Sequence, residues 1–323
     1  MIKQLKPMLP SLTQTIPQGE RWVYELKYDG FRTIIYFSEQ ELHILSRNQK
    51  SLNHIFPEVT TALLSYKEKL RSLLPVVIDG EIGILDSKYK ANFERIQQRG
   101  RVKQQQVIAE ASKKHPACLL AFDLLASQGE VLTSTHRYLE RKQRLASLFQ
   151  KLQFPTEVEV ESRRTLQFVP YETNKDRIWR TVTTHNGEGI IAKQTDSFWH
   201  SGVRTKQWLK IKNYKFGVFI LSGYDKSNGY FHVSIIKNGT FTPIGVFSHG
   251  LSQEENYALT EIIKKNKSQE SKQRIEVEPS ICVELQFLEI YKQQLREPRF
   301  VQFRFDQQWE DCTWENLQKH IQN

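Results

Sequence analysis

Lys27 stands between a strand and a glycine turn, in the run Glu25-Leu-Lys-Tyr-Asp-Gly-Phe-Arg32. Glu25 and Asp29 lie two residues to either side, and strand periodicity sets all three side chains on one face. Such a lysine can be a nucleophile only if burial or nearby positive charge lowers its pKa, because an ammonium cannot attack. It can equally be a solvated surface residue. Five further fragments follow. Ser46-Arg47-Asn48 ends a strand, and Asp79-Gly-Glu81 interrupts the apolar stretch 76–85, where an unpaired carboxylate would be costly. Phe122-Asp123 follows the apolar run from Cys118. Glu188-Gly-Ile-Ile-Ala-Lys193 and Trp208-Leu-Lys-Ile-Lys212 complete the series. In the last, Trp208, Lys210 and Lys212 share a face, while Leu209 and Ile211 turn to a core. Each fragment alone reads as a strand end or a solvated charge. Six in one chain, in this order, make chance a poor explanation.

The elements that position them can be read coarsely. Residues 21–28 and 32–37 are strands around the Gly30 turn, and 41–46 is another. Val59, Leu63, Tyr66, Leu70 and Leu73 recur at helical spacing, and Pro75 stops that helix. Stretches 76–85 and 118–125 are apolar strands. Tyr138, Leu145, Phe149 and Leu152 mark an amphipathic helix ending near Pro155. Residues 176–185 read as helix, and 189–193 and 207–212 as strands. After Asn213 the texture changes. Five strand candidates (216–224, 230–237, 240–248, 281–291 and 299–305) surround one helix. Ser252 is its N-cap, with Glu255 completing a capping box. Asn238-Gly239 is a hairpin signal. Five strands and one helix suit a small, partly open barrel of the OB type. The polar stretches 104–106 and 264–272 read as loops.

Composition narrows the class. A length of 323 residues suggests about two domains. With 25% charged and 39% hydrophobic residues, the chain is neither disordered, collagenous nor coiled-coil. Its apolar runs are far short of the ~20 residues that cross a bilayer, and its first residues do not read as a signal peptide. Cys118, Cys282 and Cys312 are too few and too scattered for a disulfide framework or a four-cysteine zinc site, which suits a reducing cytoplasm. Residues 1–212 carry 33 basic and 22 acidic side chains, whereas 213–323 carry 13 and 14. An excess confined to one part suggests a polyanion partner, most simply nucleic acid.

The ordered fragments resemble the covalent nucleotidyltransferases, specifically the ATP-dependent DNA ligases, and look most like the ligase domain of bacterial end-joining ligases. Supporting segments are Trp22–Arg32, Asn92-Phe-Glu-Arg-Ile-Gln-Gln-Arg99, Tyr138-Leu-Glu-Arg-Lys142 and Leu295-Arg-Glu-Pro-Arg-Phe300. The resemblance runs from Pro7 to about Thr313. It implies an α+β fold: a nucleotidyltransferase (ATP-grasp-like ligase adenylation) domain of antiparallel sheets with flanking helices over 1–212, then a small all-β OB-fold barrel over 213–323. It also implies three steps. Lys27 attacks the α-phosphate of ATP and releases pyrophosphate. AMP passes to the 5′-phosphate of a DNA break. The 3′-hydroxyl then displaces AMP.

By the same resemblance, Phe122 stacks on adenine and Glu25 faces its exocyclic amine. Glu81 meets the ribose. Glu188, with Glu81 and Asp29, holds Mg²⁺ or Mn²⁺. Lys210 and Lys212 neutralise the α-phosphate, and together with the metal they lower the Lys27 pKa. Lys193 and Arg204 assist at phosphates. Arg32 and Arg47 contact the nick ends, and Asp29 acts beside the 3′-hydroxyl. Arg304 and Asp306 match an element that orients pyrophosphate, with Gln307 where lysine is usual. Arg95, Arg99, Arg101, Lys103, Lys113 and Lys114 form a patch that reads equally as a DNA phosphate contact or a solvated loop.

Only 26 residues precede Lys27, so the large helical DNA-binding domain of long ligases is not expected in this sequence. The implied partners are nicked or broken duplex DNA, a Ku-type end-binding protein and a repair polymerase. A monomer with no membrane association is expected, in a bacterial cytoplasm at the nucleoid. Two other readings stay open here. One is an RNA ligase or GTP-dependent RNA capping guanylyltransferase, and the other is a non-catalytic DNA-end binding module.

Overall fold

The computed structural model describes residues 4–161 and 164–322. The chain divides into two compact units, one ending at Asn213 and one beginning at Tyr214.

The first unit is built on two sheets. One runs in the order Leu9–Leu12, Arg204–Lys212, Gly189–Gln194, Trp22–Leu26, Tyr171–Glu172. The other runs Leu166–Phe168, Cys118–Ser127, Val76–Gly83, Phe31–Phe37, Leu42–Ser46. Pairing is antiparallel except at one end of each sheet, where Leu9–Leu12 and Leu166–Phe168 lie parallel to their neighbours. The second sheet is covered on both faces, which explains why Cys118–Ser127 is apolar without alternation. On one face Ile35, Ile78, Leu119 and Ala121 pack with Leu145, Leu148 and Phe149 of the helix Tyr138–Lys151. On the other, Leu120 and Phe122 pack with Val23, Trp199 and Trp208. The outer face of the first sheet is covered by Ile178 and Val182 of the helix Lys175–Thr184, which meet Tyr24, Ile190 and Ile211.

In the second unit the strand Lys215–Asp225 is central. It pairs with Phe231–Lys237 on one side, and on the other with Cys282–Phe287 and then Arg274–Val277. Phe231–Lys237 continues to Thr240–Phe247, and Cys282–Phe287 to Arg299–Phe303. A single bridge, His249 to Arg299, joins the two ends of this ring. The helix Gln253–Lys265 is inserted after the third strand, as in an OB fold. Ser252 caps it in a full capping box. The Asn238-Gly239 turn has positive φ at both residues, as a tight hairpin needs.

Several local readings change. The helix predicted from Val59 to Leu73 breaks into Pro57–Ser65, Lys67–Leu70 and a 3₁₀ turn Arg71–Leu73. The supposed loop 104–106 opens a helix, Gln105–Lys114; glutamine is a good helix former, and one buried residue, Ile108, gave little periodicity. The supposed loop 264–272 holds the helix end and an exposed strand, Lys267–Glu270. No helix among the described residues is long and apolar enough to cross a membrane.

Candidate active site

A cleft opens between the two sheets of the first unit. Glu25, Lys27, Ile191, Lys193, Trp208 and Lys210 line it from one side. Arg32, Arg47, Glu81, Leu120, Phe122 and Val169 line it from the other, and Arg204 completes it. The sequence fragments therefore converge on one place.

The strand Trp22–Leu26 ends just before Lys27, but Lys27 N–H still bonds the Gly189 carbonyl, and Glu25 and Lys27 both face the cleft as strand periodicity predicted. A tight turn carries Lys27 onward. It needs Gly30, because a Cβ there would meet the Ile82 carbonyl oxygen at 2.2 Å. At Gly189, φ +149°, a Cβ would meet the Ile211 carbonyl oxygen at 2.1 Å, and this glycine sets Glu188 at the head of its strand. Lys27 Nζ donates to Glu188 Oε2 at 2.6 Å. Burial works to lower the Lys27 pKa, but the charges of Glu188, Asp29 and Glu81 outweigh it and hold the pKa above the ordinary lysine value. These carboxylates keep the lysine an ammonium, and the expected lowering rests on the positive charge of a bound cation with Lys210 and Lys212. Glu81 shows the same excess of negative charge. Burial and the nearby Glu188 and Asp29, only partly offset by Lys27 and Arg32, push its carboxyl up to about 8. Lys210 pairs in register with Ile191, and Lys212 with Gly189, beside Glu188. Leu209 and Ile211 turn into the outer core, as periodicity predicted.

The other end of the cleft is built around Phe122. Arg32 binds the buried Asp79 through two hydrogen bonds, of 2.7 and 2.8 Å, and its guanidinium lies 4.3 Å from the Phe122 ring centre. The Trp199 indole donates to the same carboxylate at 2.9 Å. The charge of Arg32, expected at a nick end, is therefore directed to Asp79. Lys193, expected among phosphates, is fully buried beneath Phe122. It forms an ion pair with Glu25 at 2.5 Å and lies 4.2 Å from the Trp208 ring. Burial is the largest influence on Lys193 and holds its pKa down to about 8. Glu25, expected to face adenine, is buried too. Its carboxylate is held by Tyr138, Lys142 and Lys193. Burial raises its pKa, but the two lysines outweigh that and keep it below the ordinary carboxylate value.

Outside the cleft the expectations divide. Arg101 and Lys103 are exposed. Arg99 is not: it is buried, with two hydrogen bonds to Glu58 and two to backbone carbonyls, so it is a packing residue and is withdrawn from the DNA patch. Arg304, in the second unit, grips Asp306 through two bonds of 2.8 Å and also reaches Glu284. That guanidinium holds the Asp306 carboxyl down to about 2.

The Tyr138–Lys142 segment had no assigned role. Arg141 forms a bidentate pair with Asp123, and Lys142 reaches Glu25 and two carbonyls. The usable signal was Asp123 itself, a carboxylate in an apolar strand that required a cation.

Among the described residues no three acidic, histidine or cysteine side chains form a ready-made metal cage. The donors still suit a hard divalent cation, which takes one or two carboxylates and completes its shell with water and phosphate oxygens. The raised Glu81 and the ammonium of Lys27 both mark charge that such a cation would balance.

Residues 5–212 match the model of the ATP-dependent DNA ligase domain family. The bifunctional non-homologous end joining protein LigD of Bacillus subtilis is 38% identical over 97% of this chain, which covers 51% of that protein. A DNA ligase of Thermococcus fumicolans is 26% identical over 95% of the chain and 57% of its own length. The chain thus spans about half the length of these relatives. The ligase domain of M. tuberculosis LigD matches 96% of the chain and 98% of that domain at TM-score 0.53 and 24% identity, and so shares the fold.

Proposed function

The chain belongs to the ATP-dependent DNA ligases, and from that premise we propose that it seals 5′-phosphate/3′-hydroxyl breaks in duplex DNA through an AMP carried on Lys27. The observation that carries this is Lys27, paired with Glu188 and lining a cleft whose walls supply an aromatic ring, Phe122, and a second lysine, Lys210.

In the resting site Lys27 is an ammonium held by Glu188. Glu188, Glu81 and Asp29 would hold a divalent cation, Mg²⁺ or Mn²⁺, which would supply positive charge beside the phosphates of ATP. Burial favours the neutral amine, so once its carboxylate neighbours are so offset Lys27 would release its proton to solvent before attacking. Its nitrogen then bonds to the α-phosphorus as the bond to pyrophosphate breaks. Lys210 and Lys212 offset the charge that develops on the α-phosphate oxygens. Phe122 provides the stacking face for adenine, and the buried Glu25–Lys193 pair forms the polar end of that wall. AMP then passes to the 5′-phosphate of the break, and the 3′-hydroxyl displaces it. Arg47, Arg101 and Lys103 are exposed and basic, and suit DNA phosphates. Arg304 and Asp306 act in the first step, with Gln307 supplying no charge there.

End joining is the favoured setting, since the Bacillus subtilis relative bears that name. A Ku-type partner and a repair polymerase belong to the same reading. The test is sealing of a nicked duplex with ATP, GTP or NAD. Sealed product with ATP alone supports the proposal. DNA binding without sealing, of either ordinary or pre-adenylated nicks, would overturn it in favour of a binding module.

A further inference from the structure

We propose that Lys142, which lies behind the cleft rather than in it, is the positioning residue that sets the spacing of the two sheets at the Phe122 end. The proposal rests on the ligase reading for what the cleft holds.

An ammonium has three donors and no acceptor. Lys142 spends its three on three acceptors in the two walls. Nζ donates to Glu25 Oε1 at 2.5 Å, to the Phe122 carbonyl at 3.1 Å and to the Val169 carbonyl at 2.5 Å. Glu25 belongs to the strand Trp22–Leu26 of the first sheet. Phe122 belongs to Cys118–Ser127 of the second, and Val169 follows the strand paired beside it. All three acceptor residues line the cleft. One side chain therefore ties one sheet to the other. Tyr138, one turn earlier on the same helix face, donates to the same Glu25 oxygen at 2.5 Å. From the cleft side Lys193 holds the other carboxylate oxygen.

Lys142 is fully buried, so water cannot replace it at these acceptors. An apolar residue there leaves a buried carboxylate and two carbonyls short of a donor. The two walls that grip the base then lose their fixed spacing. Lys27 is held separately, by Glu188, so the loss falls on nucleotide binding before it falls on the chemical step.

The experiment is covalent labelling by α-labelled ATP, measured over a range of ATP concentrations, in the whole chain. The variants are Lys142→Met and Lys142→Gln, with Leu145→Ala as a control that loosens the same helix on its core side. We expect the KM for ATP to rise roughly 10- to 100-fold in Lys142→Met, with the saturated rate within about threefold of wild type. Leu145→Ala should lower Tm and leave KM unchanged. Lys142→Gln keeps a donor and should fall between; it also decides the matter if Lys142→Met does not fold. A KM within about twofold of wild type in the folded Lys142 variants would overturn the proposal. So would an equal rise in Leu145→Ala. Failure of the wild type to label would instead defeat the ligase reading itself.

Discussion

Replacing Arg99 by methionine should cost stability and leave DNA affinity intact. The Arg99 side chain makes four hydrogen bonds: to Glu58 at 2.9 and 3.1 Å, to the Ile55 carbonyl at 2.9 Å and to the His115 carbonyl at 3.1 Å. Methionine fills much of the same space but removes all four. It strands the Glu58 carboxylate with one remaining donor, the Ala117 N–H at 2.9 Å. Breaking a buried ion pair from one side costs about 3–5 kcal/mol. In a unit of this size each kcal/mol moves Tm by about 2–4 °C, so the drop should be roughly 6–20 °C. Glu58→Met should cost about as much. The double variant removes both charges, so its loss should not exceed either single loss, and the coupling should be as large as a single effect. Urea unfolding of the four proteins measures that cycle. Duplex binding across salt concentrations gives the contrast. Arg99→Met should keep the wild-type slope of log K against log salt, whereas Arg101→Met should make that slope shallower by about 0.9 units if that exposed guanidinium meets one phosphate. An Arg99→Met protein destabilised by less than ~1 kcal/mol, with the slope reduced, would refute the packing argument.

Two further outcomes are expected. Phe122→Ala should weaken use of ATP more than sealing of pre-adenylated nicks, and equal loss in both assays would argue against adenine stacking. Glu81→Gln should flatten the pH dependence of stability. The folded carboxyl titrates near 8, above its unfolded value, so its contribution is most favourable at low pH and is lost as pH rises through 8. The variant should therefore gain on wild type between about pH 5 and 9, as read from urea midpoints, and no gain would mean that Glu81 is already ionised at neutral pH.

Which residues come together was more legible than how the rest pack. Lys27, Glu81, Phe122, Glu188 and Lys210 stand in fragments whose order is informative by itself, and the cleft brings them together. Strand period correctly assigned Lys210 to the cleft side and Ile211 to the core. What sequence could not supply was where each cation's charge goes. Arg99 and Arg101 sit two residues apart on one helix, yet one is buried on Glu58 and the other faces solvent. Lys193 closes a fragment otherwise read as phosphate-binding, but its partner is Glu25, 168 positions earlier. Such long-range pairs leave no local pattern. The missed helix Gln105–Lys114 had the opposite problem, with too few apolar residues for its period to register.

Peptide mapping after incubation with α-labelled ATP and Mg²⁺ tests the central claim most directly. A single adenylated peptide carrying AMP on Lys27, discharged by nicked DNA and absent from Lys27→Ala, is the predicted result. Label on another residue, or undiminished label in Lys27→Ala, would contradict it.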